Sequence, residues 1–123
     1  MAEAFPETDT LYDQAPCGLV VTALDGTFLK VNSTFCGWVG IPREELVGLR
    51  RLQDLLTMGG RIFHQTHWTP TLQMQGSLAE VKFDLLHRDC HKIPMILNAR
   101  RRQRSDGQVD EVAAFVAEDR NRY

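Results

Sequence analysis

Apolar and polar positions alternate most clearly in the C-terminal third of the chain. Between Ala79 and Leu85 every second side chain is apolar and those between are charged, which predicts a half-buried β-strand within residues 78–86. Residues 93–99 and 109–117 are also predicted strands, and residues 100–104 extend the first of these outward. Turn residues at 88–91 and 105–107 separate the three segments, so we predict an antiparallel meander.

Two further strands are predicted earlier in the chain, at residues 17–24 and 27–31. Asp25-Gly26 lies between them and favours a tight hairpin turn, because both residues tolerate positive φ. Both faces of the first strand are largely apolar, so we expect it to be covered on both sides. A leader helix seeded at residues 8–10 and stopped by Pro16 is an obvious cover for the second face.

The central part of the chain has the pattern of several helices. Asn32 or Ser33 is expected to cap a helix that Gly40 ends, and residues 42–48 form a second short helix. Residues 49–58 are predicted to be helical, with Gly59-Gly60 as a break. A longer helix follows over residues 61–75, kinked at Pro70, and one side of it carries Ile62, Phe63, Thr66 and His67.

This succession of turn, strand, capped helix, glycine stop and Pro-Arg-Glu-Glu-Leu helix resembles the front half of a PAS domain. The residues that carry the similarity are Asp25-Gly26, Val31-Asn32, Phe35, Gly40, Pro42 to Leu46 and Gly48. With the meander included, the resemblance runs from about Leu11 to Asp119. It implies an α+β PAS fold, in which a five-stranded antiparallel sheet carries helices on one face and a pocket lies between them. The pattern alone supports only a small α+β domain with an antiparallel sheet.

The resemblance also implies a division of the chain. Residues 1–13 are expected to be an N-terminal leader or cap, residues 14–119 the PAS domain, and residues 120–123 the start of a C-terminal linker. Asp119 lies where the family often ends its last strand with an acidic residue, so we interpret the chain as a domain excised from a longer signalling protein.

Composition narrows the partners and the compartment. The chain has 123 residues, enough for one core, and 43% hydrophobic and 24% charged residues are those of a soluble globular protein. A formal net charge of −2 argues against nucleic acid or a membrane surface as the main partner. The acidic N-terminus, the lack of a long apolar run and an odd number of cysteines favour a cytoplasmic protein.

If the resemblance holds, the pocket is lined mainly by apolar side chains, and only Thr22 and His67 are polar. This suits a small hydrophobic or aromatic ligand, although an ordinary packed interior would give the same pattern. The predicted lining consists of Val20, Thr22, Phe63, His67, Val81, Phe83, Met95, Leu97, Phe115 and Ala117.

The resemblance raises the possibility of two cofactors, haem and flavin. In PAS domains that bind haem, a histidine of the longer helix often ligates the iron, and His67 is preferred to His64 because it shares a face with Phe63. In the alternative without haem, one histidine hydrogen-bonds locally and the other faces solvent. The cysteine motif of photochemical flavin-binding relatives is missing from residues 47–52, and the positions expected to hold a flavin ring are the apolar Met95 and Ala117. Photochemistry is therefore not expected.

The β-hairpin turn at residues 87–91 raises the question of a metal. His87, Cys90 and His91 cluster there, but structural zinc needs four ligands and the sequence offers no evident fourth, so a solvated hairpin tip is favoured and no metal is predicted. Cys90, flanked by Arg88 and His91, is the one cysteine with cations near enough to suggest redox sensing.

Neither nucleic-acid binding nor catalysis is predicted. The basic residues between Arg100 and Arg104 lack interleaved aromatic residues and have acidic residues close by, which favours a solvated surface. Ser33, Ser77 and Ser105 lack the strand–turn–helix context of a nucleophile.

The sequence therefore leaves two main hypotheses. In the first, the chain is a ligand-binding sensory domain of a bacterial two-component or cyclic-dinucleotide signalling protein, linked to a kinase, cyclase or phosphatase output domain. In the second, it binds no ligand and pairs two chains as a homodimer. The surface expected for pairing consists of Leu11, Tyr12, Val21, Pro94, Ile96 and Val116.

Overall fold

A computed structural model describes residues 8–118. The strands are β1 (Gly18–Thr22), β2 (Phe28–Val31), β3 (Ser77–Leu86), β4 (Lys92–Gln103) and β5 (Val109–Ala117). The α-helices are α1 (Thr8–Asp13), α2 (Ser33–Val39), α3 (Arg43–Leu46), α4 (Met58–Phe63) and α5 (Thr69–Gln75). A short 3-10 helix (Leu52–Leu55) precedes α4, and a π-helical turn (His64–Trp68) joins α4 to α5.

The five strands form one antiparallel sheet in the order β2-β1-β5-β4-β3. The predicted sheet and α+β class are therefore confirmed. The N-terminal strand β1 lies beside the C-terminal strand β5, with Gly18 opposite Phe115. Residues 1–7 and 119–123 lie outside the described residues. Part of the predicted leader, Asp119 and the whole predicted linker are among them.

Helices and sheet enclose the hydrophobic core. Phe35 of α2 packs its ring against Phe28 of β2 and Phe115 of β5, with centroids 5.8 and 5.4 Å apart. Leu72 of α5 is also fully buried in this core. Such tilted aromatic contacts add to the free energy gained by burying the rings, so this face of the sheet is the main source of stability.

The side of the helical segment 61–75 that was predicted to be apolar is not the side that is buried. His64, Trp68 and Leu72 are its buried side chains, whereas Ile62 and His67 are exposed. The buried residues are spaced by four, as on one face of a helix, and Ile62 lies before the π-helical turn. The prediction therefore chose the wrong face because it followed the adjacent apolar residues Ile62 and Phe63.

The predicted break at Gly59-Gly60 is also wrong, because both glycines lie within α4. Thr57 caps this helix: its side-chain oxygen accepts a hydrogen bond of 3.1 Å from the Gly60 backbone N–H. A capping threonine satisfies one of the free N–H groups of a first turn, and glycine near a helix start is less costly than in its middle. The helix therefore begins where the sequence suggested an end.

Asn32 joins three elements through one buried side chain. Its Oδ1 accepts hydrogen bonds of 3.0 Å from the backbone N–H groups of Leu19 in β1 and Phe35 in α2. Its Nδ2 donates bonds of 2.9 Å to the carbonyl oxygens of Tyr12 in α1 and Cys17. Asn32 is therefore the N-cap of α2 and also fixes α1 and β1 against it.

We expect Asn32→Ala to lower the free energy of unfolding by on the order of 3 kcal/mol, because it leaves backbone N–H donors and carbonyl acceptors without a hydrogen-bond partner. Urea denaturation followed by circular dichroism measures this loss. Asn98→Ala is the matched control, since Asn98 is exposed and its side chain accepts one bond, of 3.1 Å, from the Glu80 N–H. The control is expected to cost less than about 1 kcal/mol, and equal losses in the two variants would contradict the role assigned to Asn32.

Candidate functional site

Much of the predicted pocket lining lies together in a closed core. Val20, Met95, Leu97 and Phe115 each have an exposed fraction of 0%, and Thr22 is buried beside them on the inner face of the sheet. A side chain with no accessible surface has no water-sized space next to it. Among the described residues, this part of the predicted lining is therefore packed against its own neighbours.

The rest of the predicted lining is more open. Phe63, Val81 and Phe83 are half-buried, and they lie at the border between the core and the surface. Ala117 was predicted to face the pocket but is exposed, because the helices do not cover this last residue of β5. If a ligand enters this fold, the half-buried side chains are those that can be reached first.

The two helix histidines have the opposite arrangement to that predicted. His64 is the buried one, with an exposed fraction of 6%, and its ring packs against Trp68 with centroids 4.8 Å apart. His67 is exposed, stacks on Phe63 at 5.2 Å and hydrogen-bonds through Nδ1 to the Thr66 hydroxyl. The preference for His67 as the inward-facing residue is therefore wrong: it does share a side with Phe63, but the buried face of this helix is that of His64 and Trp68.

Trp68 lies in the core with an unpaired polar atom. Its indole ring meets Phe83 edge to face, with centroids 6.0 Å apart and planes at 89°. The buried Nε1–H has no hydrogen-bond acceptor within residues 8–118. A buried donor without an acceptor costs free energy, so the indole N–H is a site that a polar atom of a ligand or a water molecule would satisfy.

A cleft of about 400 Å³ lies beside the same turn. His64 lines it, together with the side chains of Gln53, Arg51 and Arg61. The Gln53 Oε1 is buried and has no partner in the described part of the chain. His64 is thus the side chain that separates this polar cleft from Trp68, and burial lowers its pKa from the ordinary histidine value.

The structure also tests whether a haem would fit. Haem would have to occupy the space between helices and sheet, where Val20, Leu97 and Phe115 have no accessible surface. His67 faces outward, and the ring of His64 is packed on Trp68. The core as it is packed in residues 8–118 does not accommodate a group of this size.

The basic residues near the end of β4 are paired with carboxylates of β5. Arg102 binds Asp110 through two bonds of 2.7 and 3.2 Å, which raises the pKa of the guanidinium. Arg101 binds Glu111 at 2.9 Å on the inner face of the sheet. These two guanidinium groups therefore hold the β4–β5 hairpin together.

The residues predicted for chain pairing are divided between the interior and the surface. Val21 is buried, and Tyr12 is half-buried, with its hydroxyl donating a bond of 2.8 Å to the Leu19 carbonyl. Burial also raises the pKa of Tyr12. Leu11 and Val116 are exposed, whereas the remaining members of the predicted surface, Pro94 and Ile96, are half-buried.

Comparison with known proteins gives the same family from sequence and from structure. The model of the PAS fold family matches residues 7–119. The phosphoserine phosphatase RsbP of Bacillus subtilis (strain 168) is 26% identical over 115 residues, which are 94% of this chain and 28% of the phosphatase. The chain thus spans well under half the length of this curated relative.

Solved structures share the fold at low sequence identity. The PAS domain of a protein from Colwellia psychrerythraea has a TM-score of 0.79 at 18% identity, covering 89% of this chain and 92% of that one. The PAS domain of an HTR-like protein from Haloarcula marismortui has a TM-score of 0.71 at 21% identity, covering 89% and 88%. A Rhodobacter sphaeroides LOV protein has a TM-score of 0.75 at 12% identity, covering 93% and 66%. Within residues 8–118 no helix has the length and apolar character needed to cross a membrane.

The buried His64 predicts a pH-dependent stability. Its pKa is lower in the folded chain than in the unfolded one, so below about pH 6.5 the unfolded chain takes up a proton that the folded chain resists. The free energy of unfolding should therefore fall as the pH decreases through this range, by at most about 1.4 kcal/mol per pH unit from this group. Urea denaturation between pH 8 and 5.5 measures the slope.

His64→Gln should remove this contribution and flatten the slope. His67→Gln, which changes an exposed histidine on the same turn, should show the same slope of unfolding free energy against pH as the parent chain. A slope that is the same in both variants would show that another group causes the pH dependence.

Proposed function

Because the chain belongs to the PAS family, we propose that it is the sensory domain of a longer cytoplasmic signalling protein. In this proposal the domain itself is not catalytic, and it binds a small, largely apolar molecule that carries a hydrogen-bond acceptor. The output comes from a covalently linked domain. The relative RsbP, a phosphatase of which this chain matches only a part, supports a phosphatase or another signalling enzyme in that role.

The unpaired Trp68 N–H is the observation that carries the ligand proposal. The indole belongs to the last residue of the π-helical turn and lies beside the half-buried Phe83, and its donor lacks an acceptor within residues 8–118. Aromatic and aliphatic side chains around one open donor select an apolar molecule with a carbonyl, ether or hydroxyl oxygen. π-Helical turns occur often at functional sites, which agrees with this location.

The sheet topology supports a route by which occupancy could be transmitted. β1 and β5 are neighbours, and Gly18 at the start of β1 lies opposite Phe115 near the end of β5. The N-terminal helix is attached to the same strand, through the bond from the Tyr12 hydroxyl to Leu19. Both ends of the domain therefore meet at one end of the sheet, where a shift of Phe115 would reach each of them.

Trp68→Phe is the variant that tests the ligand proposal, since it keeps an aromatic ring but removes the N–H. Extracts of the expressing cells would be passed over immobilised protein, and the retained small molecules identified by mass spectrometry. A compound retained by the parent chain should bind Trp68→Phe about two- to tenfold more weakly, the value of one hydrogen bond. Trp38→Phe is the matched control, because Trp38 is a half-buried residue of α2.

Binding of the identified compound would then be measured by fluorescence in the Trp38→Phe chain, where Trp68 is the one remaining tryptophan. Quenching or a spectral shift on binding is expected. The ligand proposal fails if no compound is retained, or if every retained compound binds Trp68→Phe as tightly as the parent chain.

A second candidate function, pairing of two chains, is favoured by one feature of the sheet. Ile96 and Val116 lie opposite each other on the outer face, and Val116 is 49% exposed. An apolar pair on the exposed face of a sheet is suited to a homodimer interface. Leu11, which is also exposed, would extend this surface from the N-terminal helix.

Val116→Glu should weaken such a dimer at least tenfold, because it places a charge in an apolar interface. Sedimentation equilibrium over a range of concentrations measures the dissociation constant. Met74→Glu is the control, since Met74 on α5 is 85% exposed and lies on the helical side of the domain. A parent chain that stays monomeric, or a dimer that survives Val116→Glu, would argue against pairing through this face.

A further inference from the structure

The turn between β3 and β4 brings three metal-ligating side chains together. His87, Asp89 and His91 each offer one ligand atom, and these atoms all lie within 4.8 Å of one another. We propose that this turn binds a divalent transition-metal ion, with Zn²⁺ as the ion to test, through His87, Asp89 and His91. This proposal is independent of the ligand and of the chain pairing considered above.

The distances between the side chains are close to those of a metal site. His87 Nδ1 lies 3.2 Å from Asp89 Oδ1, and the two imidazole rings stack with centroids 4.5 Å apart and planes at 19°. Two ligands of one tetrahedral zinc ion lie about 3.3 Å apart, given bonds of about 2.0–2.1 Å. Small rotations of the rings would therefore bring all three ligand atoms around one ion.

The backbone of the turn is already fixed. His87 N–H donates a bond of 2.9 Å to the His91 carbonyl, and Cys90 N–H donates one of 2.8 Å to the His87 carbonyl. Arg88 N–H donates another of 2.8 Å to the Val39 carbonyl, which holds the turn against the end of α2. Binding therefore requires side-chain rotation but little ordering of the backbone, which lowers its free-energy cost.

The hydrogen bonds of the turn define what the ion must replace. The Asp89 N–H donates to His87 Nδ1 at 3.1 Å, so this nitrogen presents a lone pair towards Asp89. The other ring nitrogen of His87 faces Gly40, where an added Cβ would lie only 2.5 Å from it. The ion would displace the bond to His87 Nδ1 and replace the hydrogen bond between His91 Nδ1 and Asp89 Oδ1.

The ligand set indicates the class of ion. Two imidazole nitrogens and one carboxylate oxygen are borderline ligands that suit zinc, nickel or copper better than calcium or magnesium. Three protein ligands leave a position for water or for a group from outside the chain. The sequence suggested Cys90 as a ligand, but its sulfur does not belong to the group of mutually close ligand atoms, and Asp89 replaces it.

Isothermal titration of ZnCl₂ into the untagged chain tests this site. One ion per chain is expected, with affinity at least tenfold weaker in His91→Ala and in Asp89→Asn. Asp89→Asn keeps an oxygen that can accept from the His91 N–H, so it separates loss of the ligand from loss of the turn. His67→Ala and Cys90→Ser should bind as the parent chain does, because neither residue belongs to the site.

Nuclear magnetic resonance of the histidine rings provides a readout that does not depend on variants. Of the four histidines, His87 and His91 should show ring-nitrogen shifts on addition of Zn²⁺, while His64 and His67 should not. The proposal is overturned if no heat of binding is observed, if both turn variants retain the parent affinity, or if the shifts fall on His64 or His67.

Discussion

The buried amide of Asn32 is the interaction on which the rest of the structure depends. Two backbone donors and two backbone acceptors from three segments of the chain are satisfied at once, at Tyr12, Cys17, Leu19 and Phe35. An apolar side chain could fill the same space but would leave four backbone groups without partners. The amide therefore specifies the relative position of α1, β1 and α2, and with it the position of Phe35 in the core.

The sheet could be predicted from the sequence because its signals are local. Alternation from Ala79 to Leu85 and the Asp25-Gly26 turn each depend on a few adjacent residues, and the strands lie where these signals place them. The orientation of His64 and His67 was predicted wrongly, because the inward face was chosen from the apolar residues Ile62 and Phe63. The spacing by four from His64 through Trp68 to Leu72 was the signal that could have identified the buried face.

The closed core changes how the candidate pocket has to be understood. The predicted lining combined residues that are fully packed, such as Leu97 and Phe115, with residues at the border, such as Phe63 and Phe83. Periodicity identified most of the strand residues that face inward, but the presence of space between them depends on how closely the helices approach the sheet. That distance is set by the long-range contacts of the helices and not by any local pattern.

A packed core restricts the mechanism by which such a domain can sense a molecule. A ligand that enters beside Trp68 must displace side chains, so the occupied and empty states differ in packing, and a ligand shifts the equilibrium only by its unequal affinity for the two. The π-helical turn is the local departure from regular α-helix in this part of the fold, and such turns occur frequently at functional sites, so it is the element we expect to move. Phe83 contacts both Trp68 and Phe115, with ring centroids 6.0 and 5.8 Å apart, so movement of Trp68 reaches β5 through one intermediate ring. The three aromatic rings thus connect the π-helical turn to the C-terminal strand of the sheet, β5.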